Sequence, residues 1–298
     1  ALPVERCAPS SSRDTLTEAA TSLFVLALLL AATAAGVVLQ PLLPETHRSR
    51  DTIEAVRLAL TMIVTFAALV LGLLTTSVKD SYDSVDSRLR GYAAMVIQTD
   101  QSLREYGAAT WPMERTLRDF TAATIADTWP AEPRPAGIYP VGLEHSVTHP
   151  AETPVLGDML GRIELAIREL HPPDALHQKL AAYCLNRVER LVDQRWMLIE
   201  QAHDSVSVPF LAVLVFWLVI VFLCFGLTAP RNSLAYVVTA LCAIALAVAI
   251  FVILEFDGPF SGLIQVSSQP MRDALAHVDA SLKRVDASFN RVDTSLAR

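Results

Sequence analysis

The sequence predicts an all-α membrane protein. Four transmembrane helices carry a helical extramembrane bundle continuous with spans two and three, and a C-terminal helix with three heptads follows. Three observations support this. Residues 19–44, 58–78, 205–230 and 232–254 contain no Asp, Glu, Lys or Arg, and each run reaches the roughly 20 residues that cross a hydrocarbon core about 30 Å thick. The 298-residue chain is 52% hydrophobic with a mean hydropathy of +0.39 and is only 18% charged, below the ~25% of an ordinary soluble domain. Finally, "VDASLKR", "VDASFNR" and "VDTSLAR" follow one another through 278–298, the 4,3 spacing of a coiled-coil seam.

Residues 1–18 form a leader without the basic start of a signal peptide, and the apolar run after it exceeds a signal-peptide core. Residues 19–78 hold spans one and two, joined by the short turn "ETHRSRDTIE". Residues 79–204 form the extramembrane domain, and 205–254 hold spans three and four, joined by "RNS". An even number of crossings puts the leader, the insert and the tail on one side. Lys79, Arg88, Arg90, Arg190, Arg195 and Arg272 flank the spans on that side, against Arg48, Arg50 and Arg231 in the much shorter opposing loops. The positive-inside count therefore leaves orientation open.

Within the insert, Val85, Leu89, Tyr92, Val96, Thr99, Leu103 and Tyr106 recur at alternating intervals of four and three. That is the apolar stripe of a long amphipathic helix running on from span two. Met113, Leu117, Phe120 and Thr124 predict a second helix, ending near Trp129-Pro130. Residues 130–154 contain six prolines and are read as loop. A third helix is expected over about 155–170, and "HPPD" at 171–174 separates it from a fourth that leads into span three.

Enzymatic signals are absent: there is no Gly-rich phosphate loop, no H-E-x-x-H and no paired Cys-x-x-Cys. No cofactor is expected. His145 and His149, near Glu144 and Glu152, have a metal-like spacing but lie in the proline-rich loop, so no metal site is expected. Four cysteines, two of them within spans, read as small core residues and not as a disulfide framework. A net charge of −7 without a basic stripe argues against nucleic acid.

Two places are candidates for function. On span two, Thr61, Thr65, Ala68, Gly72 and Thr76 make one small, partly hydroxylated stripe, with Met62, Phe66 and Leu69 beside it. In a ring of subunits this stripe would line a narrow pore with an apolar neck; alternatively, small residues mark close helix packing. At the end of span four, "LEFDGPFSGLIQVSSQP" (254–270) stops at Glu255 and Asp257 and bends at Gly258-Pro259. Residues 255–277 are expected to form an acidic turn and clasp that keeps Phe260 out of water. The carboxylates would meet Lys79, Arg88 or backbone amides at the stalk bases, and His203 stands where the other stalk enters the membrane. Residues 278–298 complete the chain as a heptad tail, either pairing between copies or lying on their own domain.

Four tracts, "FVILEFDGPFSGLIQVSSQPMRDAL" (251–275), "LVLGLLTTSVKDSYDS" (69–84), "DQSLREYG" (100–107) and "FGLTAPRNS" (225–233), resemble the bacterial bestrophin-like family. The order of two spans, helical insert, two spans and an acidic turn resembles bestrophins more widely. The resemblance implies a homo-oligomeric, pentameric ion channel of the bacterial inner membrane, with passive conduction along span two. It also implies a cytoplasmic insert and termini, with lipid, inorganic ions and copies of itself as partners. Only two acids follow span four here, so a calcium clasp of the eukaryotic kind, which needs six or more oxygens, is not expected. The competing reading is a non-conducting scaffold or sensor whose extramembrane bundle binds a protein.

Overall fold

A computed structural model describes residues 10–42, 50–140, 153–202, 208–229, 232–260 and 262–296. Among the described residues the chain is helical and has no strand. The elements are α1 (Ser10–Leu39), α2 (Arg50–Tyr106), α3 (Trp111–Thr128), α4 (Pro154–Arg168), α5 (Ala175–Ala202), α6 (Val208–Thr228), α7 (Ser233–Asp257) and α8 (Gln269–Leu296). Four of these, α1, α2, α6 and α7, are long and apolar enough to cross a membrane.

The contacts divide the chain into two compact units. One, the membrane unit, comprises Ser11–Tyr82 and Ser205–Ile264; the other, the extramembrane unit, is built chiefly from Asp83–Asp204 and Gln265–Arg298. The 57-residue α2 runs without a break from the first into the second. At 1.5 Å per residue it is about 85 Å long, far more than a bilayer core requires. The equivalent join between α5 and α6, residues 203–207, lies outside the described residues, as does His203.

In the membrane unit, one seam of α2 is buried at Leu60, Ala67, Leu74 and Val78. It packs with Val25 and Leu29 of α1, Leu214, Leu218, Val221 and Phe222 of α6, and Ala243, Ile250 and Ile253 of α7. Helices α1 and α6 also meet through glycine. A β-carbon on Gly36 would stand 2.2 Å from the Leu223 carbonyl oxygen, and one on Gly226 would stand 2.2 Å from the Thr33 carbonyl oxygen. The two backbones therefore touch with no side chain between them. In lipid, where apolar burial no longer drives association, such close approach supplies the dispersion contacts that hold helices together. Nearby, Gln40 Nε2 donates to the Ala229 carbonyl at 3.2 Å. Asn232 caps α7, its side chain accepting the Leu234 N–H.

The extramembrane unit buries the stripe expected from the sequence: Val85, Leu89, Tyr92, Val96, Thr99, Leu103 and Tyr106 all face inward. Helix α2 ends at Gly107, whose φ of 110° few other residues tolerate. There the Thr110 hydroxyl donates to the Leu103 carbonyl at 2.6 Å, satisfying one of the carbonyls that a helix end leaves open. Pro112 and Pro154 stand in the first turns of α3 and α4, where a missing N–H costs nothing. Helices α3, α4 and α5 pack in succession, and α8 lies on α3.

The tail helix has its place within the chain. Met271, Ala274, Leu275, Val278 and Ser281 are buried, so the first heptad position of the repeat is occupied by the subunit's own bundle. Ion pairs reinforce the seat. Arg118 Nε bonds Asp279 at 2.8 Å, and Arg272 bonds Glu132 at 2.8 Å. Side chains of the remaining two heptads, 285–298, lie outside the described residues, as do His145 and His149.

Candidate functional site: the exposed face of α2 and the turn after α7

The buried seam of α2 fixes what its other faces present. Residues 61, 65, 72 and 76 fall on the opposite side of a 3.6-residue helix from 60, 67, 74 and 78. Thr61, Met62, Thr65, Phe66, Leu69, Gly72 and Thr76 are all exposed in the single chain. Met62, Phe66 and Leu69 expose 67%, 60% and 58% of their surface, large values for apolar side chains. Phe66 lies toward one flank, its ring 6.5 Å from that of Trp217 on α6 and tilted by 52°. Gly72 has open space where a β-carbon would point.

The hydroxyls on this face are internally satisfied. Thr61 donates to the Arg57 carbonyl at 2.9 Å, Thr65 to Thr61 at 2.7 Å, and Thr76 to Gly72 at 3.0 Å. A threonine that donates backward along its own helix leaves no unmet donor in an apolar setting. Its oxygen still has lone pairs for water or an ion. The stripe is therefore apolar enough to sit in a membrane and polar enough to be wetted.

The turn after α7 is built around Glu255. This residue is 1% exposed, and its Oε2 accepts the Leu263 N–H at 2.7 Å. The chain reaches that position through Gly262, whose φ is 81°. A β-carbon there would stand 2.5 Å from Glu255 Oε2 and 3.5 Å from Glu18 Oε2. Two independent constraints, a left-handed backbone and the carboxylate against the α-carbon, thus select glycine. Pro259 and Phe260 are buried, Asp257 is half-buried, and Lys79 is exposed. Phe256 meets Tyr82 edge to face at 5.1 Å.

Sequence reasoning placed the acids and the bend but overlooked Gly262 as the position that lets a main-chain amide meet Glu255. It also overlooked Glu18, whose carboxylate lies beside the same glycine. The signal was present: a glycine inside a mostly apolar stretch, seven positions beyond Glu255. Among the described residues no group of three or more His, Cys, Asp or Glu side chains is arranged to hold a metal ion.

Comparisons with known proteins agree with this architecture. No curated protein matches the sequence. Among solved structures, one variant of a bacterial bestrophin homologue from Klebsiella pneumoniae superposes with a TM-score of 0.61 at 11% identity, covering 89% of this chain and 97% of that one. Two further variants superpose with TM-scores of 0.57 and 0.55 at 12% and 13% identity. They cover 88% and 86% of this chain, and 99% and 97% of theirs. At such identities the likeness establishes a shared fold. The Bestrophin-like domain family itself matches residues 27–271, which contain the core of the membrane unit, α2 through α7 and the turn after α7. With most of its length in that match, the chain belongs to the Bestrophin-like family.

Proposed function

We propose that the protein is one subunit of a homo-oligomeric ion channel, most simply a ring, in which the exposed face of α2 lines a pore and ions move passively down their gradient. The observation that carries this reading is that face itself. The chain buries one seam of α2 and leaves the small, hydroxyl-bearing opposite side without a partner of its own. In a ring, Thr61, Thr65, Gly72 and Thr76 would offer a wettable track. Met62, Phe66 and Leu69 would form an apolar neck that gates by dewetting. Membership of the Bestrophin-like family and the fold shared with bestrophin homologues support the same reading. On this reading the subunit sits in the bacterial inner membrane, with leader, insert and tail together on the cytoplasmic side.

The turn after α7 then acts as a clasp. Glu255, Asp257, Pro259 and Phe260 fix the exit of span four, and Lys79 stands on α2 where such a clasp would influence gating.

Reconstitution tests the proposal. Parent protein in liposomes should pass ions, and Met62→Ala or Leu69→Ala should raise the leak several-fold by widening the neck. Cysteines at Thr61 and Thr65 should react with a water-soluble thiol reagent. No flux across several ions and voltages, with both cysteines inert, would favour a non-conducting scaffold or sensor instead. The exposed apolar side chains of the extramembrane helices, Leu165, Leu176 and Trp196, favour that second reading, because they offer a surface for a protein partner.

A further inference from the structure

The interior of the extramembrane unit holds two acids that neither the pore face nor the clasp uses. Asp100, near the end of α2, is 0% exposed, and Glu114, in the first turn of α3, is 1% exposed. Their surroundings differ. Asp100 Oδ2 bonds Arg104 at 2.9 Å, and the Ser281 hydroxyl of α8 lies 3.1 and 3.2 Å from its two oxygens. Glu114 has one weak contact, its Oε1 lying 3.5 Å from the Thr110 hydroxyl. Its Oε2 is buried without a hydrogen-bond partner. Arg104, the arginine that acts on it, is already paired with Asp100.

An ionised carboxylate with almost no donors is costly to bury. A second negative charge beside Asp100 raises the cost further. We infer that Glu114 is a proton-binding site: it carries a proton while α8 is seated on the bundle, and its ionisation loosens that seat through Asp100 and Ser281.

The groups that bear on it come from each neighbouring element. Helix α2 supplies Asp100, which opposes ionisation, and Arg104, which favours it; Thr110 supplies the weak hydroxyl contact. Helix α8 supplies Ser281 and His277, both acting on Asp100. The buried face of α4 against α3 is Leu156, Met159, Leu160, Ile163 and Ile167, which carry no charge. Burial first, and then Asp100, push the Glu114 carboxyl up from 4.5 to about 7. Burial pushes Asp100 in the same direction, opposed by Arg104 and Ser281.

The sign follows from linkage. The seated state binds the Glu114 proton more tightly than a released state in which water reaches it. Stabilisation of the seat is therefore complete below about pH 4.5 and is lost as pH rises through about 7.

Hydrogen exchange on the full-length protein in lipid nanodiscs tests this, following amides 271–281 and correcting for intrinsic exchange. Protection should fall by about thirtyfold between about pH 5.5 and 8, the part of the gap between carboxyl pKa values of 4.5 and about 7 that this window spans. Glu114→Gln should hold protection high and flat, and His277→Gln should leave the slope in place. Asp100→Asn, which removes the opposing charge, should move the midpoint to lower pH and covers the case in which Glu114→Gln does not fold. A flat parent profile, a slope surviving in Glu114→Gln, a slope abolished by His277→Gln, or an unmoved midpoint in Asp100→Asn would each overturn the assignment.

Discussion

The two units stabilise their interiors by opposite means, and α2 passes through both. In the membrane unit its buried seam is Leu60, Ala67, Leu74 and Val78, and elsewhere in that unit bare backbones meet at Gly36 and Gly226. In the extramembrane unit the same helix buries Thr99, Asp100 and Ser102 alongside its apolar stripe, and α3 adds Glu114 and Asp127. The difference follows from the solvent. Water drives apolar faces together strongly enough to carry a few buried charges, provided they find partners. Lipid offers no such drive, so contact depends on fit, and a polar group is tolerated chiefly where it ends a helix or bonds its own backbone.

The comparison can be broken most sharply at the glycine crossing. Gly36→Ala or Gly226→Ala would place a methyl 2.2 Å from a carbonyl oxygen of the facing helix. Backbones cannot move aside as side chains do, so each should cost about 3 kcal/mol. The loss would be read as a lower thermal midpoint in detergent. The pair should cost less than the sum, because either change alone already separates α1 from α6.

A smaller effect is expected in the extramembrane unit at Asp127. The Thr153 hydroxyl, at the start of α4, donates to Asp127 Oδ2 at 2.7 Å, while the Thr153 carbonyl accepts from Arg195 at 3.3 Å. Thr153 and Arg195 are both 4% exposed. Asp127→Ala would strand the buried Thr153 hydroxyl, at about 2 kcal/mol. Asp127→Asn, which keeps an acceptor, should recover part of that in a chemical-denaturation series.

The smallest change sharpens the contrast at the end of α7, where the membrane unit does bury a carboxylate. Gly262→Ala combines a left-handed backbone with a 2.5 Å approach to Glu255, and should cost about 1–2 kcal/mol. Combining it with Glu255→Ala removes the clash but leaves the backbone strain. The double variant should then be less destabilised than the two single effects added together, a double-mutant cycle being the measurement.

Legibility in the sequence followed the same division. Helices were readable wherever periodicity or freedom from charge persisted over many residues. The stripe from Val85 to Tyr106 and the four uncharged runs are such cases, because burial imposes a regular pattern on a helix. On span two the small, hydroxyl-bearing stripe was legible as a pattern, whereas the seam opposite it, Leu60, Ala67, Leu74 and Val78, was not. What escaped notice depends on pairs far apart in the chain. Gly36 is an ordinary glycine until Gly226 is placed against it. Glu114 looks like a surface acid in the first turn of α3, where the helix dipole would welcome it. Its burial becomes evident only when α2, α3 and α8 converge. Glu255 was expected to meet Lys79, Arg88 or backbone amides at the stalk bases; the partner found is an amide, but that of Leu263 in the turn itself, reachable because Gly262 takes a positive φ.

The glycine crossing also has a consequence for biosynthesis. Gln40 and Ala229, which bond beside it, are 189 residues apart. At translation rates of roughly 5–20 residues per second, α1 enters the membrane on the order of ten to forty seconds before α6 exists. Throughout that interval the bare backbone at Gly36 faces lipid, or the translocation machinery, without its partner. The α1–α2 hairpin must therefore tolerate residence in the bilayer as a pair, and closure of the crossing becomes a late event, after the whole extramembrane domain has been synthesised. A Gly36→Ala chain would insert on schedule and fail only at that last step, leaving a fully threaded but loosely assembled substrate for membrane quality-control proteases.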